Sequence, residues 1–104
     1  MRAHKHYIWD KRHHSIVIRK SSTATPYTIH TDAGLWCDLE VYRDKDLFYI
    51  YSENKGLESA SVEVFQYTLD GFKFREGLYM DHFDWINCRS TPYKIRKLLE
   101  LSEY

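Results

Sequence analysis

The alternation of hydrophobic and polar residues is clearest between Ala60 and Met80, where two alternating runs flank Asp70-Gly71. Asp-Gly supplies the two positive-φ residues of a type I′ turn, so this stretch predicts a β-hairpin. A two-residue loop at this point gives the hairpin one aromatic face, on which the opposing pairs are Leu69 and Phe72, Tyr67 and Phe74, and Phe65 and Glu76. Because an isolated hairpin is marginal in water, another part of the chain is expected to cover that face.

A second hairpin is predicted from residues 36–43 and 46–52, with its turn at Asp44-Lys45. Lysine is a poor positive-φ residue, so a loop longer by one or two residues is the alternative. The dry face of this hairpin pairs Val41 with Phe48 and Leu39 with Ile50. The opposite face is acidic and phenolic, and its expected members are Asp38, Glu40, Tyr42, Leu47, Tyr49 and Tyr51.

Shorter strands are predicted around residues 7–9, 15–20 and 27–32, from β-branched or alternating runs. After Met80 the spacing of hydrophobic residues changes from that of a strand to that of a helix. Asp81 is placed to cap a short helical turn, and Ser90-Thr91-Pro92 is typical of a helix start. A stripe of Ile95, Leu98, Leu99 and Ser102 then predicts an amphipathic helix that runs to the C-terminus and covers the aromatic hairpin face.

Together these elements predict one α+β domain over residues 1–104. Its core is an antiparallel meander sheet of six to seven strands, with the C-terminal amphipathic helix packed on one face. A curled half-barrel is the alternative, because strongly twisted strands can close on themselves.

Composition places the chain among globular proteins, with 43% hydrophobic and 29% charged residues. The net charge is zero, but the charges are unevenly distributed: residues 1–30 sum to +5, residues 31–84 to −7 and residues 85–104 to +2. Charge asymmetry of this kind bears on partners more than on fold.

The N-terminal residues lack the apolar core of a secretory signal, and no apolar run reaches the ~20 residues that span a bilayer. Cys37 and Cys88 are far apart and form no CxxC motif, so reduced thiols are expected. The expectation is a cytoplasmic protein with no membrane partner.

Six histidines raise the question of a metal site or an active site. His4 and His6 would point the same way on a strand, but no second pair stands at ligand spacing, so neither a metal nor a cofactor is expected. The alternative is an RNase-like toxin enzyme. It would use His13, His14 or His30 as general acid and base, with the phosphate held by Lys11, Arg12 or Arg19. The acidic middle of the chain disfavours it, because carboxylates repel phosphate.

The same repulsion argues against nucleic acid as a partner, since the tyrosines are expected to be exposed beside carboxylates and not beside cations. A non-enzymatic binding protein is the main expectation. Its predicted partner-binding residues are Asp38, Glu40, Tyr42, Tyr49 and Tyr51. Tyrosines supply rigid contact area and carboxylates steer a basic partner. These properties fit a bacterial immunity protein of the contact-dependent-inhibition type, which neutralises a basic nuclease toxin. An antitoxin or a phage-encoded inhibitor would have the same physical properties.

Overall fold

The computed structural model describes residues 2–32, 38–54, 56–57 and 59–80. The described residues form eight β-strands and no helix. In chain order the strands are β1 Arg2–Ala3, β2 Tyr7–Asp10, β3 Ser15–Ile18, β4 Tyr27–His30, β5 Asp38–Asp44, β6 Leu47–Asn54, β7 Ser59–Thr68 and β8 Gly71–Met80.

The strands belong to two sheets, one with the order β1-β5-β6-β7-β8 and the other with the order β2-β3-β4. Every strand pair is antiparallel, which confirms the prediction of a mainly antiparallel meander. The prediction of a single sheet is wrong. The strands form two sheets, and the first ten residues contribute β1 to one of them and β2 to the other. The His4 amide donates to the Val41 carbonyl at 2.8 Å, and the Arg19 amide donates to the His6 carbonyl at 2.9 Å.

A hydrophobic core fills the space between the two sheets. The three-stranded sheet contributes β-branched residues, and the five-stranded sheet contributes the dry residues of its inner face. The buried members are Ile16, Ile18, Ile29, Val41, Phe48, Ile50 and Phe65. Burying each of these side chains contributes about 1.5–3 kcal/mol. The three-stranded sheet therefore covers much of the aromatic hairpin face that was assigned to the C-terminal helix. That helix, and the turn expected after Asp81, lie outside the described residues.

The β5–β6 hairpin turns at Lys45-Asp46, one residue later than the sequence indicated. Its ladder pairs Val41 with Ile50 and Tyr42 with Tyr49. Lys45 does take a positive φ, of 56°, so the loop stays at two residues and no lengthening occurs. The resulting shift in register is two residues, which leaves every side chain on its expected face.

The register of the β7–β8 hairpin near its turn also differs from the expected register by two residues. Thr68 pairs with Gly71, and Tyr67 with Phe72. Only Gly71 has a positive φ here, of 108°, which fits a type I turn followed by a left-handed glycine and not the expected type I′ turn. Leu69 therefore stands at the tip of the turn, where it is 98% exposed.

A β-bulge lies between Val64 and Phe65, where the register shifts by one residue. On the side of the bulge nearer the turn, Phe65 pairs with Phe74. On the far side, Val64 pairs with Glu76. The expected pairing of Phe65 with Glu76 is therefore wrong. Because a one-residue shift exchanges the faces of a strand, Glu76 leaves the aromatic face and joins the outer face of the sheet.

Candidate functional site

The five predicted binding residues lie on one face of the β5–β6 hairpin, called here the outer face because it points away from the three-stranded sheet. Glu40 pairs with Tyr51, Tyr42 with Tyr49, and Asp38 with Glu53. The antiparallel register thus brings carboxylates and phenol rings side by side, as the alternation of residues 38–51 indicated.

The tyrosines of this face are not accessible. Tyr42 is 8% exposed, Tyr49 4% and Tyr51 1%. They form a buried cluster with the aliphatic residues of β7, and the other members of this cluster are Ala60, Val62 and Val64, with Leu47 and Leu78 packed against it. The expectation that these tyrosines are exposed is wrong. Their partner-binding role is not tested by this burial, but direct contact would require the cluster to open.

The carboxylates of the face are arranged around the tyrosines. Asp38 and Glu40 are exposed, and the Tyr42 hydroxyl donates to Glu40 Oε2 at 2.6 Å. Burial, reinforced by the carboxylates of Asp44 and Glu76, raises the pKa of Tyr49. Five acidic residues therefore share the outer face, and they are Asp38, Glu40, Asp44, Glu53 and Glu76.

Sequence reasoning missed Glu76 as a member of this site. Its place on the outer face depends on the bulge beside Phe65, and no residue pattern marks that bulge directly. A signal was present, because a glutamate interrupted an otherwise aromatic face. A carboxylate is unfavourable among buried aromatic rings, so a change of face after Phe74 was the physically consistent alternative.

The histidines of the RNase-like alternative are brought to one end of the three-stranded sheet. His13 Nδ1 donates to Asp10 Oδ2 at 2.6 Å, and His14 Nδ1 donates to Asp32 Oδ1 at 2.5 Å. The hydrogen bond from His13 lowers the pKa of Asp10. His30 pairs with Ser15 in the neighbouring strand. Arg19 lies at the opposite end of β3, where its amide bonds to His6, so it does not join these histidines.

His4 and His6 lie side by side but differ in burial. Their rings meet edge-on with centroids 5.5 Å apart. His4 is buried, and its Nε2 donates to the Arg19 carbonyl at 2.6 Å, while His6 is exposed. Within residues 2–32, 38–54, 56–57 and 59–80, no group of three or more His, Cys, Asp or Glu side chains is arranged to hold a metal ion. Cys37 and Cys88 lie outside the described residues, so their redox state stays a prediction.

In the described part of the chain, no helix has the length and apolar character needed to cross a membrane. Comparison of the chain with protein-family models, with curated proteins and with solved structures finds no match. The site must therefore be interpreted from its own geometry and charge.

Proposed function

We propose that this chain is a protein-binding inhibitor, most consistent with a bacterial immunity protein of the contact-dependent-inhibition type that neutralises a basic nuclease toxin. The observation that carries the proposal is the acidic outer face, where five carboxylates from β5, β6 and β8 share one side of the sheet. The same face also carries the cations Lys73, which pairs with Gln66, and Arg75, whose Nε donates to Gln66 Oε1. Among the described residues the five carboxylates outnumber these two cations, and a net negative face favours association with a cationic surface and speeds diffusional encounter.

The burial of the tyrosines divides the roles of the predicted residues. Asp38 and Glu40 are the proposed contact residues, because both are exposed. Tyr42, Tyr49 and Tyr51 are proposed to hold these carboxylates in place from beneath, as Tyr42 does by donating to Glu40. A carboxylate whose orientation is already fixed loses less conformational entropy when it pairs with a lysine or arginine of the partner.

The proposal includes the cytoplasm as the site of action, because a nuclease toxin attacks nucleic acid there. It also retains the C-terminal amphipathic helix, expected to start at Ser90-Thr91-Pro92, as part of a single domain, and it assigns the chain no catalytic role. Metal ions, cofactors, membranes and nucleic acid are not required for charge-directed binding of a basic protein.

The test begins with the partner. An adjacent gene that encodes a large toxin with a basic C-terminal domain would supply it, and affinity capture from the native host is the alternative. Association rates are then measured by surface plasmon resonance for the wild type and for Asp38→Asn/Glu40→Gln. We expect the double variant to associate about tenfold more slowly at low salt, and the difference to shrink above roughly 0.15 M salt, where the screening length is about 8 Å.

The matched control is Asp32→Asn/Asp70→Asn, which removes the same charge from exposed positions outside the outer face. Equal slowing by both double variants would contradict the assigned face, because it would mean that only net charge matters. Capture of no basic protein from the host would contradict the immunity proposal itself.

An RNase-like enzyme is a second candidate, and the two His–Asp pairs favour it. In each pair the carboxylate accepts from Nδ1, which orients the imidazole so that Nε2 can exchange a proton with a substrate. This candidate predicts that expression of the chain arrests growth, and that His14→Ala relieves the arrest while His6→Ala does not. Harmless expression together with intact RNA after incubation would exclude it.

A further inference from the structure

A cleft of about 560 Å³ lies where the β1–β2 connection, the end of β3 and the β5–β6 turn meet. Its walls carry five cationic side chains, which are Arg2, Lys5, Lys20, Arg43 and Lys45. Among the described residues, the other members of the wall are His4, His6, Ser21, the single carboxylate Asp44 and the single apolar residue Ala3. The volume falls within the range of small-ligand sites, but such sites are ordinarily apolar and this one is cationic.

Arg43 is held at the cleft by contacts on several sides. Its Nε donates to the Lys45 carbonyl and its Nη1 donates to the Lys20 carbonyl, both at 2.8 Å. The guanidinium also lies over the Phe48 ring, 5.4 Å from the ring centroid. An arginine fixed in this way has already lost most of its rotational freedom, so little more is lost when it pairs with an anion.

Lys20 and Lys45 are also constrained. The Lys20 ammonium lies 3.1 Å from Asp46 Oδ1 and 5.4 Å from the centroid of the Tyr67 ring. Lys45 has a φ of 56°, a left-handed conformation that costs a residue with a β-carbon roughly 1–2 kcal/mol relative to the right-handed regions. Glycine or asparagine would be the ordinary residue there. A lysine held in a strained conformation in the wall of a cationic cleft indicates a functional role for the cleft.

The charge of the cleft selects its ligand. Five cations against one carboxylate leave a strongly positive site, even with Lys20 partly neutralised by Asp46. Burial, and with it the Arg43 charge, lowers the pKa of His4, although the hydrogen bond to the Arg19 carbonyl opposes this shift. Since Ala3 is the only apolar residue that the described part of the chain contributes to the wall, the ligand needs a high density of negative charge and little apolar surface.

We propose that this cleft binds an anion that carries two or more adjacent phosphate groups. The N–H groups of Arg43 other than those that donate to the Lys45 and Lys20 carbonyls can donate to phosphate oxygens, and the lysines provide point charges for the remaining oxygens. The same chemistry occurs in the diphosphate of a nucleotide and in consecutive phosphates of a single nucleic-acid strand. The cleft is lined by different residues from the acidic outer face apart from Asp44, so this proposal stands whether or not the immunity function is correct.

The test is isothermal titration calorimetry of the full chain with four probes at one ionic strength: orthophosphate, pyrophosphate, a short single-stranded oligouridylate and an oligoglutamate peptide. The cleft variant is Arg2→Gln/Lys5→Gln/Lys45→Asn, whose three wild-type side chains are exposed. Asparagine tolerates the positive φ at position 45, so the turn should be preserved. The control, Lys73→Glu/Arg75→Gln, changes the net charge by the same amount at exposed positions outside the cleft.

We expect pyrophosphate to bind more tightly than orthophosphate, and the cleft variant to weaken it by about tenfold or more. The control variant should change the dissociation constant by less than about twofold. Pyrophosphate as tight as the oligouridylate identifies a small-ligand site, whereas an oligouridylate about tenfold tighter identifies a strand-binding site. Both results support a phosphate site.

Three results would overturn the proposal. Equal weakening by the cleft variant and the control variant would show unspecific attraction to a charged surface. Binding of oligoglutamate more tightly than pyrophosphate would identify a site for acidic peptides. No detectable heat with either phosphate probe at about 1 mM would mean that the cleft holds no phosphate ligand of useful affinity.

Discussion

The two faces of the five-stranded sheet are both buried, yet they are built from different chemistry. The inner face carries Val41, Phe48 and Ile50, and it packs on the three-stranded sheet. The outer face carries Tyr42, Tyr49 and Tyr51 in the same two strands, surrounded by carboxylates. Tyrosine combines a large apolar ring with a polar end. The comparison shows that a polar end and neighbouring charges do not mark a tyrosine as exposed, because its ring can be buried while its hydroxyl reaches a carboxylate.

The difference also separates structural from functional residues. Val41, Phe48 and Ile50 are buried in the core between the two sheets, so changing them costs stability. On the outer face, Asp38 and Glu40 are exposed, and Asp38→Asn and Glu40→Gln keep the side-chain length and an acceptor oxygen for the Tyr42 hydroxyl, so their effect on stability should be smaller. Variants of the inner face should therefore lower stability, whereas variants of Asp38 and Glu40 should slow association with the proposed partner.

The largest effect is expected for Phe48→Ala on the inner face. Phe48 is 0% exposed and its ring meets those of His4 and Phe72 edge-on, with centroids 5.0 Å away in both cases. The lost burial and the remaining cavity should lower the free energy of unfolding by about 3–5 kcal/mol. Urea unfolding with an unchanged m value measures it, and a loss below about 1 kcal/mol would contradict the two-sheet core.

Tyr51→Ala tests whether the outer face is buried to the same degree. Tyr51 is 1% exposed, so we expect a loss of about 3 kcal/mol, close to that of a buried phenylalanine. A tyrosine on a solvated face would lose no more than about 0.5 kcal/mol on truncation. The same urea titration distinguishes the two outcomes, and the small value would restore the exposed face expected from the sequence.

Gly71→Ala tests the point where the three-stranded sheet meets the β7–β8 turn. A β-carbon at this position would lie 3.2 Å from Cδ1 of Tyr27, and the residue has a φ of 108°. The strain and the crowding should together cost about 2 kcal/mol.

Gly77→Ala is the matched control for this substitution, because its β-carbon would meet nothing closer than Phe74 Cζ at 3.6 Å. It should change the unfolding free energy by less than about 0.5 kcal/mol. Similar losses for the two alanines would show that neither the turn conformation nor the Tyr27 contact is as described.

The smallest effect is the pH dependence contributed by His4, the histidine buried beside Phe48. Burial lowers the pKa of His4, so the unfolded chain binds a proton at this residue more readily than the folded one. The corresponding stability is fully present above the unfolded pKa of about 6.5 and is lost as the pH falls through the folded pKa. We expect the melting temperature of the wild type to fall more steeply below about pH 6.5 than that of His4→Gln.

His6→Gln is the control for this measurement, because His6 is exposed and its ring meets the ring of His4 edge-on. Because the charge of His6 is one of the smaller causes of the lowered pKa of His4, this variant should depart from the wild-type pH profile by less than His4→Gln does. If His6→Gln flattens the profile and His4→Gln does not, the assignment of the pH dependence to burial of His4 is incorrect.

The two long hairpins could be predicted from the sequence, but their registers could not. Asp70-Gly71 is compatible with a type I′ turn and with a type I turn followed by a left-handed glycine, and the two choices differ by two residues in register. The structure adopts the second, with Thr68 paired to Gly71. The Thr68 hydroxyl supports this turn by donating to the Gly71 carbonyl at 2.7 Å and accepting from the Asp70 amide at 3.2 Å.

The candidate site was predicted in part. All five of its residues share a face, because side chains two apart on a strand point the same way and a two-residue register shift preserves that relation. Their exposure could not be predicted, since a tyrosine beside a carboxylate satisfies both a solvated face and a buried cluster with a polar rim. The position of Glu76 depended on the bulge beside Phe65, which is a property of the paired strands and not of either strand alone.

The sequence by itself determined what alternation and local turn chemistry determine: the long strands, the faces of the β5–β6 hairpin, the faces of the β7–β8 hairpin between its turn and the bulge, and the separation of charge between residues 1–30 and 31–84. Only the tertiary structure decided which faces are covered and which charges meet. Arg43 and Lys45 belong to the acidic segment, yet they line the basic cleft with Arg2 and Lys5 because β1 pairs with β5. The physical reason is distance along the chain. Alternation acts between residues two apart, whereas the pairing of Arg2 with Arg43 closes a long loop whose entropy cost only the assembled sheets can offset.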